Sequence, residues 1–254
     1  MSASARPRQR GILLPGLFTL AVFLVLLGFG LWQVERLAWK GNLIATLAQR
    51  VNAPPVLLPP SNEWPTLTQE LDEFRRVTAT VEYLNKGAVY VYSAGSPLRP
   101  DIKKPGYFVF APVRLATGEV IVINAGYAPD RTHPWRNTKV EITGYLRWPE
   151  APRWFVSEHE QLEGSIWYVR NHLSMARFHR WGANVAPFYI DQEAPVPASG
   201  VPRPGPLTVK LRNDHLGYAI TWFGLAAVLL LVFGFWAVAR ERAKMSSASR
   251  PRSP

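Results

Sequence analysis

The chain has 254 residues, a formal net charge of +11 and no cysteine. Without cysteine there are no disulfides, no thiol redox chemistry, no Cys-ligated zinc and no Cys-based copper relay. Arg6, Arg8 and Arg10 hold +3 of the charge, and Arg240, Arg242, Lys244, Arg250 and Arg252 against Glu241 hold +4; the remaining +4 is spread over everything between, which argues against nucleic acid as a partner, since its binders gather basic residues on the folded part.

From Gly11 to Val34 no Lys, Arg, Asp or Glu occurs. About 20 apolar residues suffice to cross the hydrocarbon of a bilayer. The run is longer than the h-region of about 7 to 15 residues that a signal peptide carries, and it passes into Trp32, Gln33, Glu35 and Arg36 with no small-x-small cleavage site. It is therefore expected to be an uncleaved transmembrane helix. Its apolar period continues through Leu37, Leu43, Ile44 and Leu47 and should stop before Ala53-Pro54-Pro55, because proline disfavours helix in the residue before it.

Two proline clusters, Pro54 to Pro65 and Pro195 to Pro206, read as extended connectors. Between them the period is two. Val77, Ala79, Val81 and Tyr83 alternate with polar neighbours, and Ala88 to Tyr92, Tyr107 to Val113, Val120 to Ile123, Val140 to Leu146 and Val185 to Ile190 are β-branched and aromatic runs separated by turn residues. This predicts a mainly antiparallel β domain. One helix is expected over Asn171 to Trp181, with Asn171 as its N-cap and Gly182 as its end. A second charge-free run, Leu216 to Ala239, is the second expected transmembrane helix.

The fold class that follows is a membrane α-helical hairpin enclosing an exported α+β domain, mainly antiparallel β with one or two short helices. Its expected parts are a basic tail (1–10), transmembrane helix 1 (11–34), an exported β-rich domain with proline-rich connectors (35–213), transmembrane helix 2 (214–239) and a second basic tail (240–254). Lys and Arg mark cytoplasmic flanks, so both termini are expected in the cytoplasm. The short basic leader suits a bacterial plasma (inner) membrane rather than a mitochondrial presequence. Attraction of the tails to anionic lipid makes the bilayer a partner.

The chain has no H-E-x-x-H, G-x-S-x-G, P-loop or G-x-G-x-x-G, so no motif with a mechanical reason behind its spacing points to an enzyme. His133 and His159 read as surface-loop residues, and the seven-residue spacing of His172 and His179 is no metal motif. The membrane junctions are denser. On a helix Trp32, Arg36, Trp39 and Lys40 cluster on one side, and His215, Tyr218, Ala219 and Trp222 on another. An aromatic belt with snorkelling basic residues accounts for most of this; His215, at the mouth of the second run, is what a belt explains least, because ionisable groups there default to function.

Gly30-Leu-Trp-Gln-x-x-Arg-x-x-Trp-Lys40, Pro105-Gly-Tyr, Ile123-Asn-x-Gly126, Trp167-Tyr-x-Arg170 with Met175-Ala176, and Asn213-Asp-His-Leu-x-Tyr-Ala-x-Thr-Trp-Phe223 occur in that order along almost the whole chain. This set resembles the surfeit locus protein 1 family of cytochrome c oxidase assembly factors. The departures are Ala125 and Tyr127 in Asn124-Ala-Gly-Tyr127, Asn171 after Arg170, and Asp214 before His215. The resemblance implies assembly rather than catalysis, haem a as a transient cargo, the catalytic subunit of cytochrome c oxidase as client, haem a synthesis machinery as a possible source, and His215 as the matching histidine.

Physically, a neutral imidazole ligates haem iron, aromatic side chains wall the porphyrin, and cations meet the propionates. The expected site is His215 as axial metal ligand, Tyr218 and Trp222 as wall, Ala219 leaving room one turn below, and Arg36, Lys40 or Arg212 at the propionates. A cofactor-free membrane scaffold that steadies an oxidase intermediate is the alternative, with Gly28, Gly30, Gly217 and Gly224 permitting close helix contacts and His215 bonding across helices. A membrane-anchored enzyme with an exported domain is a third reading, and the missing motifs count against it.

Overall fold

The computed structural model describes residues 11–84, 87–132, 139–151, 166–209 and 212–248. In chain order its elements are α1 (Leu13–Asn52), β1 (Val56–Leu57), a 3-10 turn (Ser61–Thr66), α2 (Gln69–Asp72), β2 (Arg76–Tyr83), β3 (Val89–Ser93), β4 (Gly106–Leu115), β5 (Val120–Ala128), β6 (Lys139–Arg147), β7 (Ile166–Trp167), α3 (His172–Phe178), β8 (Val185–Ala194) and α4 (His215–Ala248). Contacts divide them into two units, Met1–Leu43 with Arg212–Pro254, and Ile44–Leu211.

α1 and α4 are each long and apolar enough to cross a membrane. α1 runs on past the apolar stretch to Asn52, one residue short of Ala53-Pro54-Pro55, where a following proline closes off helical geometry. Its last turns belong to the second unit, where Leu47 and Val51 pack with Phe74, Tyr145 and Leu207.

In the second unit the strands line up as β1-β2-β6-β8-β5-β4-β3-β7, and a further pairing of β2 with β4 closes β2, β6, β8, β5 and β4 into a barrel. β4 makes this possible by changing partners along its length: Gly106 to Phe110 pair with β3, and Val113 to Leu115 pair with β2. Pro112 falls in the gap between the two ladders, where a missing N–H costs no bond to either.

Inside the closed strands, every second residue is apolar and covered: Val77 and Val81, Ala111 and Val113, Ile121 and Ile123, Ile142 and Leu146, Phe188 and Ile190. Trp64 of the 3-10 turn joins them, edge-on to Phe188 at 5.3 Å, with its indole N–H donating to the Pro59 carbonyl at 2.9 Å. Phe108, Phe110, Val122 and Tyr189 point the other way into a second core under Met175, Ala176 and Trp181. Burial on both faces explains why β4, β5 and β8 read as unbroken apolar runs.

The antiparallel expectation holds for most ladders, but β5–β8, β1–β2 and β3–β7 are parallel. Between β5 and β8 lie residues 129–184, which carry β6, β7 and α3 and are long enough for the crossover that parallel neighbours require.

α3 begins as expected, with the Asn171 side chain accepting from Ser174 N–H at 3.2 Å. It ends differently from the expectation at Gly182. His179 is the C-cap and Arg180 takes the left-handed conformation (φ 53°), with Arg180 N–H on Arg177 O and Trp181 N–H on Ala176 O, the paired bonds of a Schellman turn. Burying Trp181 in the second core offsets the roughly 1–2 kcal/mol that a side chain costs in that conformation.

His172 points inward, fully covered, with Nε2–H donating to the Ala186 carbonyl at 3.0 Å and its ring 5.5 Å from Tyr189. Burial lowers its pKa from 6.5 to about 4. His179 instead stacks on Trp181 at 5.6 Å, so the two histidines serve packing in different places. His133 and His159 lie outside the described residues.

Gly126 (φ 115°) lies against the backbone of Arg203 and Pro204, where a Cβ would overlap both, and Tyr127 and Arg203 exchange backbone hydrogen bonds at 3.0 and 2.7 Å. Gly126→Val should therefore destabilise the barrel by about 3 kcal/mol or more, while Gly118→Ala, also at positive φ (101°) but facing open space, should cost only about 1–2 kcal/mol. Denaturation midpoints followed by tryptophan fluorescence check the difference.

The His172 shift has a sign. Between about pH 6.5 and 4 the unfolded chain holds a proton there that the folded chain refuses, so stability falls as pH falls. His172→Gln should flatten the stability loss between pH 7 and 4.5 by about 2–3 kcal/mol. Denaturation midpoints at the two pH values measure it.

Candidate functional site at the helix hairpin

Between Ile12 and Lys40, the covered residues of α1 recur in steps of four and three, and those of α4 follow the same rule through His215, Ala219, Trp222, Ala226, Leu229 and Phe233. This 3.5-residue period is the seam of an antiparallel, coiled-coil-like pair. Among apolar surroundings such pairs depend on close packing, which small residues permit. Thr19, Ala219 and Ala226 are under a tenth exposed, a Cβ on Gly30 would overlap the Phe223 ring, and Phe29 stacks on Trp222 at 5.0 Å. The outward faces carry exposed Leu, Val and Phe, among them Leu17, Phe18, Leu24, Leu231, Val232 and Phe235.

Polar side chains of Asn213 and His215 reach across the seam. Asn213 Nδ2 donates to the Leu37 carbonyl at 3.3 Å, and His215 Nδ1 lies 2.6 Å from Gln33 Oε1. A carboxamide oxygen only accepts, so Nδ1 carries a proton, and in the neutral ring Nε2 then holds the lone pair. That is the tautomer in which imidazole binds a metal through Nε2. Gln33 is 8% exposed, so this bond is sheltered on its side.

The other expected site residues are placed as follows. Trp222 lies on the seam against Phe29. Tyr218 is 57% exposed and leaves the seam. Ala219 is buried in the seam one turn beyond His215. Lys40 lies on the covered stripe of α1, and the Arg36 guanidinium lies 3.8 Å over the Trp39 ring. Arg212 forms an exposed ion pair with Asp214, worth little in stability because water screens it. Val25, Gly28, Phe29 and Trp32 line an apolar recess of about 430 Å³ on α1.

Among the described residues no group of three or more His, Asp or Glu is arranged to hold a metal ion. An imidazole in apolar, aromatic surroundings is chemically suited to one axial position of a haem rather than to a closed metal cage, and His215 has Trp222 and Phe29 on the same seam. Sequence reasoning singled out His215 but left Gln33 as one letter of a motif. The signal that finds it is its phase: Gln33 falls on the same three-four stripe as Gly30 and Leu37.

The barrel has its own buried polar group. Arg147 Nε donates to Glu73 at 2.9 Å and its Nη1 lies 3.5 Å from Asp191, whose other oxygen accepts from Asn124 Nδ2 at 2.8 Å. Burial raises the Asp191 pKa, against the pull of Arg147, Arg170 and Arg99. Buried pairs of this kind add little net stability but penalise any register that would separate them, and here they tie β5, β6 and β8.

The profile of the SURF1 family matches residues 20–227. A SURF1-like protein from Monosiga brevicollis is 30% identical over 92% of this chain and 91% of its own length. Surfeit locus protein 1 from Rattus norvegicus and from Homo sapiens are each 32% identical over 79% of this chain, covering 68% and 70% of their own lengths.

The seam has a direct check, and the absence of native cysteine makes it clean. Leu37→Cys combined with Asn213→Cys should form an intrachain disulfide on mild oxidation, whereas Trp39→Cys with Asn213→Cys should not, because Trp39 is 51% exposed and off the stripe. Non-reducing electrophoresis after proteolysis of the connecting domain reads the outcome.

Proposed function

The chain belongs to the SURF1 family, and from that membership together with the hairpin site we propose that it is a membrane assembly factor for cytochrome c oxidase which binds haem a and helps its insertion into the catalytic subunit. In this reading both helices cross a bacterial plasma membrane, both termini are cytoplasmic and the barrel is exported. Haem a is cargo, received from the machinery that makes it and passed to the client.

The observation that carries the reading is the state of His215: at the head of an apolar helix, with Nδ1 engaged by Gln33, which in the neutral ring makes Nε2 the metal-binding nitrogen. His215 supplies one axial ligand. Phe29 and Trp222, with the recess beside Phe29, supply aromatic and apolar wall, and Tyr218 extends it outward. Lys40 and Arg36 serve the propionates; a guanidinium flat on an indole still has its in-plane N–H groups to give. Arg212 joins them by exchanging Asp214 for a propionate.

One protein ligand is also suited to transfer. A carrier that held both axial positions would lose the differential affinity that moves cargo to the client. The chain's own part is to bind, orient and keep the haem among apolar helices until the client offers better ligation. No catalytic step is assigned to it.

A cofactor-free scaffold is the second reading, and the same bond favours it: His215 is already satisfied across the hairpin by Gln33, as a purely structural polar pair would be. Visible spectra of detergent-purified chain, made in cells that synthesise haem a, separate the two. The haem-carrier reading expects Soret and α bands that His215→Ala reduces at least tenfold. No haem in the wild type, or equal haem in both proteins, leaves the scaffold.

A further inference from the structure

We propose that Gln33 is the positioning residue for the His215 ligand: its carboxamide oxygen accepts the Nδ1 proton, holds the imidazole in the Nε2-ligating tautomer and aims the ring along the hairpin. The inference rests on the haem-carrier reading and extends it to a residue of the opposite helix.

Three observations carry it. The contact is short, 2.6 Å between Nδ1 and Oε1, and joins residues 182 positions apart in sequence. Gln33 is 8% exposed and sits on the α1 stripe that faces α4, so its amide has little access to water as an alternative partner. The polar contact of Asn213 with the Leu37 carbonyl, one turn further along α1, fixes the backbone from which His215 projects. A histidine with a free ring would divide between tautomers and rotamers; a neutral acceptor on Nδ1 removes that freedom and makes Nε2 a better donor.

A structural register lock, in which Gln33 and His215 merely satisfy each other, makes the opposite forecast. Leucine is close to glutamine in size, and a leucine on an apolar seam would hold the helices together at least as well. Gln33→Leu should then leave haem binding untouched. If Gln33 positions the ligand, Gln33→Leu should weaken haem a binding by about 10–100-fold with the hairpin intact, and Gln33→Glu, which keeps an acceptor at the same reach, should restore it.

The test uses the full chain in detergent, as wild type, Gln33→Leu, Gln33→Glu and His215→Ala. Added haem a gives the affinity. Resonance Raman of the ferrous complex gives the iron–imidazole stretch, which rises with a stronger Nδ1 acceptor. Histidine-15N NMR of the haem-free chain gives the tautomer. The expected result is a fixed Nδ1–H tautomer in wild type and Gln33→Glu, tautomer mixing in Gln33→Leu, and a stretch ordered Glu above Gln above Leu. Wild-type affinity and an unchanged stretch in Gln33→Leu, or the same tautomer populations in every His215-containing protein, overturns the proposal. If the wild type and His215→Ala alike bind no haem a, the carrier reading fails and takes the positioning role with it, while a Gln33-dependent tautomer in the NMR then identifies the register lock.

Discussion

Two helices whose outward faces are leucine, valine and phenylalanine leave a polar side chain on their seam one kind of partner: a polar group from the other helix. The hydrogen bond between His215 and Gln33 is that constraint, and the hairpin is arranged around it. Gly30 lets Phe223 come close just below, Ala219 keeps the seam narrow one turn beyond His215, and Asn213 grips the α1 backbone just above. A slip of α4 by one residue would carry His215 off the three-four stripe and leave Gln33 facing apolar neighbours, at the cost of an unsatisfied buried amide, about 1–3 kcal/mol. The pair therefore fixes register whatever else it does, and it does so through Nδ1.

The barrel is held by constraints of another kind. It closes only because β4 serves two neighbours in succession, and Pro112 marks the break between them. Gly126 lets the connector at Arg203 run against β5, and Gly144 lets β6 approach the Asp191 carbonyl of β8, positions where a side chain would strike backbone. Arg147, Asp191 and Asn124 then penalise alternative registers of the same strands. None of these devices is chemistry directed at a substrate; each selects one sheet out of several that the same apolar runs would allow.

Much of this was legible in the sequence because it depends on local pattern. Charge-free runs of membrane length, alternation of period two, and Ala53-Pro54-Pro55 as a stop need only neighbours along the chain, and the two long helices and the six longer strands fall where those patterns put them, whereas the 3-10 turn at Ser61–Thr66 replaces part of the expected extended connector. Asn171 as a cap was legible for the same reason. The end of α3 was not: glycine is the default left-handed residue, but the burial of Trp181 pulls Arg180 into that conformation, and burial is not a local property. The parallel β5–β8 ladder was hidden likewise, since β8 inserts between strands that precede it by tens of residues.

The candidate site divides in the same way. Its sequence alone determined that His215 would stand at the head of an apolar helix and that Trp222 would follow it two turns on, because helical spacing fixes both. Only the tertiary structure decided that Trp222 meets Phe29 while Tyr218 leaves the seam, and that the imidazole finds Gln33, 182 residues away. The physical reason is that a helix sequence specifies which residues share a face, whereas the partner of that face, and so the proton on each nitrogen of its histidine, is set by the register at which the second helix packs against it.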